Sequence, residues 1–247
     1  WGMHSGNGWS EPQTWVLGTR TADMSLYQNQ SQIFNSGLIV LWGLNPVTSM
    51  CGEWGYNLVR AKEKGIPIIC IEGRHTPSVQ VLADQWIPIR PTTDVTMMIA
   101  MANVWFKEDL CDKEFIERWV EPEGVRKWKA YVLGAEDTID KSPEWAQNIC
   151  GVPAETIREF ARLYARSKPV NLNVALSIGR QFYGENQSRA SIYLQALTGN
   201  VMIPGGTPAG GTGFSRAYPV GPKPTVDWQR KPATYNPPMV MAGYKWT

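Results

Sequence analysis

The sequence has 247 residues, 43% of them hydrophobic, and a formal net charge of +2 at pH 7. This is enough apolar material for a buried core in one large domain, alone or with appendages. Lysine and arginine are scattered rather than gathered in a stripe, which argues against nucleic acid as a partner. The longest apolar runs, such as 37–42, are too short to cross a bilayer. The chain opens on Trp1 rather than Met, which suggests a processed chain or an internal piece.

Short apolar runs recur along the chain, beginning with Leu38-Ile39-Val40-Leu41-Trp42. A continuous run of this kind predicts a strand that is buried on both faces of a parallel sheet. The predicted strands are 38–42, 66–71, 85–90 and 170–176.

Helical patterns separate these strands, with starts and stops marked by Asp, Pro and Gly. The predicted helices are 57–64, 94–107, 112–120, 153–166 and 185–197, and Asp94 is predicted to cap the second. Strands that alternate with helices at this spacing predict an α/β fold with a doubly wound, mostly parallel, Rossmann-like sheet.

The two ends of the chain differ from this middle part. Residues 1–32 are polar with little periodicity, and we predict an irregular segment with one or two helical turns. Residues 33–202 are predicted to form the nucleotide-binding domain. Residues 203–247 are rich in Gly and Pro, which predicts a long, irregular, extended segment that leads to further domains.

Polar residues follow each of the first three predicted strands, in the runs 43–46, 72–74 and 91–94. In an open parallel sheet, ligands bind at the carboxyl ends of the strands. Glycine lets the backbone approach a ligand closely. Hydroxyls and helix-start amides such as those at Thr93 bind phosphate. A carboxylate accepts hydrogen bonds from ribose hydroxyls or from guanine N1 and N2. Each acid alone is explained as a solvated strand end or a helix cap. The three strand ends together predict a nucleotide crevice.

Other kinds of site have little support. The cysteines lie far apart, without a C-x-x-C pair, which argues against a zinc or iron–sulfur site. They are Cys51, Cys70, Cys111 and Cys150. Neither histidine has a ligand partner at metal-binding spacing, and no G-x-G-x-x-G follows a strand. Gly205-Gly206 is predicted to lie in a loop. Arg180, after the fourth strand, either pairs with an anionic ligand or faces solvent.

Several motifs occur together in a recognisable order. They are the runs 41–46, 71–74 and 83–94, with shorter matches at 144–146, 151–157 and 197–200. In this order they resemble the molybdopterin-guanine-dinucleotide oxidoreductases, and within that family the dimethyl sulfoxide and trimethylamine N-oxide reductases. The resemblance runs from about residue 33 to the end of the chain.

The resemblance implies a role for each matching position. Gly43 and Asn45 are expected to approach a cofactor phosphate or pterin arm. Glu72 and Arg74 match the acid and the arginine that hold the nucleotide, and Asp94 matches the carboxylate that reads guanine.

Further positions match the residues that lie along the pterin, namely Ser177 and Arg180. The chain departs from the family where Glu72 replaces an Asp, where Thr92 replaces a Gly and where Leu176 replaces an aromatic residue. The candidate cofactor-binding residues are Gly43, Asn45, Glu72, Arg74, Thr93, Asp94, Ser177 and Arg180.

The resemblance also implies features outside the chain. The metal's protein ligand and any iron–sulfur cluster would lie upstream and a cofactor-covering domain downstream, so we assign no metal ligand and expect the 247 residues alone to be inactive. The implied cofactor is molybdenum or tungsten bis(molybdopterin guanine dinucleotide). The implied partners are a small-molecule oxide, an iron–sulfur electron-transfer subunit and a membrane-anchor subunit. The expected location is exported or membrane-associated on the periplasmic side, with the cytoplasm as the alternative.

Three functions remain open. The first is a part of a catalytic subunit that reduces an S-oxide or N-oxide in anaerobic respiration, through a metal that the pterins position and tune. The second is a dehydrogenase, hydroxylase or hydratase that uses the same cofactor. The third is a non-catalytic α/β module like the central domain of thiamine-diphosphate enzymes. The runs 87–94 and 151–157 favour the first two.

Overall fold

A computed structural model describes residues 7–18, 30–49, 54–181, 183–201 and 203–208. Within these residues, four strands form one sheet in the order β3-β2-β1-β4, and each neighbouring pair is parallel. The strands are β1 Leu38–Trp42, β2 Ile68–Ile71, β3 Gln85–Ile87 and β4 Val170–Val174. The α/β class and the parallel sheet are therefore confirmed.

Helices connect and cover the strands. In the described part of the chain they are α1 Asn7–Leu17, α2 Pro46–Ser49, α3 Trp54–Glu63, α4 Pro77–Leu82, α5 Asp94–Lys107, α6 Lys113–Trp119, α7 Pro122–Val132, α8 Pro143–Cys150, α9 Ala154–Arg166, α10 Leu176–Gly179 and α11 Gly184–Leu197, with a 3-10 turn at Gln30–Asn35. None of these described helices is long and apolar enough to span a membrane.

Helices α4, α7 and α8 were not predicted, although each has a local start signal. Each begins with a proline, whose fixed φ suits the first turn. Each is preceded by a residue whose side chain accepts from a backbone N–H of that turn. These capping residues are Thr76, Glu121 and Ser142.

Both faces of the sheet are buried, as the side chains of β1 show. Leu38, Val40 and Trp42 pack into one core with residues of α5, α9 and α11. Ile39 and Leu41 pack into a second core with residues of α3 and α4. All five side chains are fully buried, because successive side chains of a strand point to opposite faces. The doubly wound arrangement is therefore confirmed.

Three strands are shorter than predicted, and β2 begins at Ile68 rather than at residue 66. β3 ends at Ile87 rather than at residue 90, because the Arg90 N–H donates to the carbonyl of Cys150 at 2.9 Å and the chain leaves the sheet. β4 ends at Val174 rather than at residue 176, because Leu176 already begins α10.

The prediction for the N-terminal segment was wrong in one respect. In place of one or two turns, α1 runs over eleven residues, about three turns, and packs against α11. Gln13 on this helix is fully buried. The helix contains Pro12 and lacks a regular apolar stripe, so its stability comes from tertiary packing rather than from a local pattern.

The described start of the C-terminal segment, residues 203–208, lies along β4 at the edge of the sheet. The Ser36 hydroxyl donates to the carbonyl of Gly205 at 2.7 Å, and the Gln195 amide donates to the carbonyl of Thr207 at 2.7 Å. The Thr207 hydroxyl donates to the β4 carbonyl of Leu172 at 2.9 Å. Gly205-Gly206 lies in a loop, as predicted. Residues 209–247 of the predicted extended segment lie outside the described residues.

Candidate functional site

One crevice opens at the carboxyl ends of the strands. Its lining residues are Gly43, Ile71, Glu72, Gly73, Ile89, Pro91, Thr92, Asp94, Ser177, Ile178 and Gln181. From β1 the chain continues to β2 and β3 on one side, and β4 lies on the other side. β1 is therefore the point at which the winding of the sheet reverses, which is where open α/β sheets bind ligands.

Asp94 is the most buried acid of the crevice, with 4% of its surface exposed. It is the first residue of α5 and Thr93 is the N-cap, so the prediction that Asp94 caps the helix was wrong by one position. The Trp42 indole N–H donates to Asp94 Oδ1 at 2.8 Å. Burial raises the pKa of the Asp94 carboxyl, while hydrogen bonds from Trp42 and Gln181 oppose that rise.

Glu72 is the second acid of the crevice and is half-buried. Burial raises the pKa of its carboxyl, the N–H of Gly73 and the charge of Arg74 oppose the rise, and the charge of Asp94 adds to it. The Gly73 N–H donates to Glu72 Oε1 at 3.0 Å. Two carboxyl groups thus face one crevice, which suits a ligand that offers several hydrogen-bond donors.

Gly43 directly follows β1 and lies against the segment that follows β4. Any other residue at this position would strain the backbone and collide with that segment. The φ of Gly43 is +65°, and a Cβ at this position would lie 2.7 Å from Cγ2 of Ile178. The Ser177 hydroxyl donates to the carbonyl of Gly43 at 3.1 Å. The close approach of these two loops forms one wall of the crevice.

Four of the eight predicted site residues line the crevice, and four do not. Those in the lining are Gly43, Glu72, Asp94 and Ser177; those outside it are Asn45, Arg74, Thr93 and Arg180. Asn45 Oδ1 instead accepts from the Ser78 hydroxyl at 2.7 Å, which ties the start of α4 to the β1 loop. The Thr93 hydroxyl donates to the carbonyl of Arg90 at 2.6 Å. The cofactor roles of all eight stay predictions.

The sequence reasoning missed two polar residues of the site, Trp42 and Gln181. A signal for Trp42 exists, because a buried indole N–H needs an acceptor and this indole stands at a strand end. The acceptor itself cannot be read from the sequence, since Asp94 follows 52 residues later. Gln181 directly follows Arg180, and we find no local signal that marks it.

Thr92 stands where the resemblance implies a glycine, and its backbone conformation shows why glycine suits the position. Its φ is +72°, a left-handed conformation that costs an L-residue about 1–2 kcal/mol. We expect Thr92→Gly to raise the free energy of unfolding by about 0.5–1 kcal/mol, because glycine's greater freedom in the unfolded chain offsets part of the relief. Urea unfolding measures this. Thr92→Ala keeps the strain and should give no gain; an equal gain from Ala would contradict the explanation.

The described residues contain no cluster of three or more His, Cys, Asp and Glu side chains suited to a metal ion. Cys70, Cys111 and Cys150 are free thiols. Burial raises the pKa of Cys70 to about 12 and that of Cys111 to about 11, so both are protonated at neutral pH. Cys51 lies outside the described residues.

Comparison with known proteins gives one consistent family. The model of the family "Molybdopterin oxidoreductase" matches residues 4–238. The trimethylamine-N-oxide reductase of Haemophilus influenzae is 34% identical over 226 residues, which cover 85% of this chain and 26% of that protein. The dimethyl sulfoxide reductase DmsA of Escherichia coli (strain K12) is 36% identical over 211 residues, which cover 80% of this chain and 26% of that protein.

The fold has a counterpart among solved structures. The acetylene hydratase of Pelobacter acetylenicus matches with a TM-score of 0.58 and 25% identity, over 73% of this chain and 25% of that one. The chain thus spans about a quarter of the length of the relatives that it matches. Because the family model matches almost the whole chain and the fold agrees, the chain belongs to the molybdopterin oxidoreductase family.

Proposed function

We propose that the complete protein reduces an S-oxide or an N-oxide, and that this chain binds the guanine nucleotide end of its molybdenum–pterin cofactor. The observation that supports this most is Asp94, a carboxylate 4% exposed, in a crevice at the switch point of the sheet. The substrate class rests on the identity of 34–36% to reductases of trimethylamine N-oxide and dimethyl sulfoxide.

The crevice fits the nucleotide end of such a cofactor. Gly43 and Gly73 keep its walls free of side chains where the backbone passes close to Ile178 and Pro91. Asp94 offers carboxylate acceptors for guanine N1 and N2. Helix α5 begins at the crevice without a side-chain cap at Thr93, and a helix start of this kind binds phosphate oxygens.

The cofactor would supply the metal centre at which an oxygen atom and two electrons are exchanged. This chain's own residues bind and orient it. Asp94 would accept from the guanine base and Glu72 from a ribose hydroxyl, while Ile89 and Ile178 exclude water from the walls of the crevice.

A second candidate is hydration on the same cofactor. The likeness to a protein named acetylene hydratase favours it, whereas the reductase names of the sequence relatives favour the first proposal. The third reading, a non-catalytic module like that of thiamine-diphosphate enzymes, receives no support from the family match.

Analysis of the complete protein tests the proposal. We expect molybdenum or tungsten and guanine nucleotide in stoichiometric amounts, and reduction of trimethylamine N-oxide or dimethyl sulfoxide with a reduced dye as electron donor. Hydration of acetylene without oxide reduction would favour the second candidate. Absence of both metal and guanine nucleotide from folded, freshly purified protein would overturn the proposal.

We further infer, from the resemblance to the dimethyl sulfoxide and trimethylamine N-oxide reductases, that the partners are an iron–sulfur electron-transfer subunit and a membrane-anchor subunit on the periplasmic side. Affinity purification of the complete protein from solubilised membranes of its host should retain a subunit with an iron–sulfur absorption spectrum. Recovery of the active protein alone from the soluble cytoplasmic fraction would contradict this inference.

A further inference from the structure

The side chain of Trp42 does not line the crevice but hydrogen-bonds to Asp94, which does. Trp42 is the last residue of β1, is fully buried and is not among the lining residues. Its only side-chain polar atom, Nε1, donates to Asp94 Oδ1 at 2.8 Å. The bond therefore joins the end of β1 to the start of α5, directly behind the acid that faces the ligand.

A second tryptophan shows that burial alone does not call for such a partner. Trp105 is also fully buried, and its Nε1 donates to the backbone carbonyl of Ala161 at 2.7 Å. A backbone carbonyl thus suffices for a buried indole N–H in this core. The hydrogen bond from Trp42 differs because its acceptor is a carboxylate of the crevice, so it restricts the orientation of that carboxylate.

The Asp94 carboxylate already accepts hydrogen bonds from the Trp42 indole, from its own backbone N–H and from Gln181. The two guanine donors, N1–H and N2–H, need one carboxylate oxygen each, so the orientation of the carboxylate decides whether both can bond. Rotation about the Asp Cβ–Cγ bond is otherwise broad, so a bond at Oδ1 also fixes where Oδ2 lies.

We propose that Trp42 is a positioning residue for guanine recognition, and that its indole N–H holds the Asp94 carboxylate in the orientation that accepts both guanine donors. This inference rests on the proposed function. The same bond opposes the rise in the pKa of the Asp94 carboxyl that burial causes, so it also favours the charged acceptor.

A comparison of GMP with IMP tests this positioning, because IMP lacks the 2-amino group and can use only one of the two donors. Binding of each nucleotide to the complete, cofactor-free protein is measured by calorimetry. Two variants remove the N–H: Trp42→Phe, and replacement of residue 42 by β-(3-benzothienyl)alanine, which keeps the volume of the indole. Trp105→Phe is the matched control, since it removes the same kind of bond from the same core.

We expect the wild type to bind GMP about tenfold or more tightly than IMP, as a charge-assisted hydrogen bond implies. Loss of the N–H at residue 42 should reduce this ratio to about threefold or less, whereas Trp105→Phe should keep the wild-type ratio even if it lowers stability. If Trp42→Phe does not fold, the benzothienyl variant decides the question.

Two other results would overturn the positioning role: a folded residue-42 variant with the wild-type ratio, or an equal fall of the ratio in Trp105→Phe. Absence of any GMP preference in the wild type would overturn the assignment of guanine to Asp94 itself. The first failure leaves the proposed function intact and the second does not, so the two are distinguishable.

Discussion

Asp94→Asn in the complete protein is expected to lower the retained guanine nucleotide about tenfold or more. The asparagine carbonyl can still accept from the Trp42 indole, which then leaves the –NH2 group where Oδ2 stood. That group is a donor facing the donors of guanine, and an unpaired buried polar group costs about 1–3 kcal/mol. The measurement is metal and guanine nucleotide released per mole of folded protein, variant against wild type.

Asp112→Asn is the matched control for this change. Asp112 also stands at a helix start, where Oδ1 accepts from the N–H of Phe115 at 2.9 Å, but it does not line the crevice. Asn and Asp are near-equal N-caps, so this variant should keep the wild-type nucleotide content. If Asp94 serves only the first turn of α5, its Asn variant will also keep that content. Equal release from Asp94→Asn and wild type would therefore remove Asp94 from the site.

The second large effect is expected for Gly43→Ala, which should lower the free energy of unfolding by about 2–5 kcal/mol. The left-handed backbone costs an L-residue about 1–2 kcal/mol. The new methyl group would also stand 2.7 Å from Cγ2 of Ile178, and overpacking of this kind costs about 1–3 kcal/mol. Urea unfolding of the variant and of the wild type gives the difference.

Gly65→Ala separates the two causes. Gly65 has a φ of +79° but nothing within 4 Å of its Cβ position, so its variant reports the backbone strain alone. Ile178→Ala removes the atom that would collide with the new methyl group, so the double variant with Gly43→Ala should lose less than the two single changes predict. A Gly43→Ala loss no larger than that of Gly65→Ala would show that the contact with Ile178 is not tight.

The sequence alone located all four strands, although only β1 and β2 end at the residue that it predicts. A strand buried on both faces needs apolar side chains at every position, so the run 38–42 identifies β1 without knowledge of its neighbours. Gly43, Glu72 and Asp94 were found because residues after parallel strands share one edge of a sheet. The family motifs were local as well, which is why the family could be named from the sequence.

Only the tertiary structure decided which of these residues meet. The strand order places the reversal at β1, so Gly43 faces Ser177, 134 residues later. The same packing pairs Trp42 with Asp94. It also places Asn45 so that its side-chain oxygen accepts from the Ser78 hydroxyl rather than facing the crevice. Partners so distant in the chain leave no periodic or local signal, because their contact depends on how strands and helices pack. Helix α1 is stabilised in the same way, by α11 rather than by its own sequence pattern.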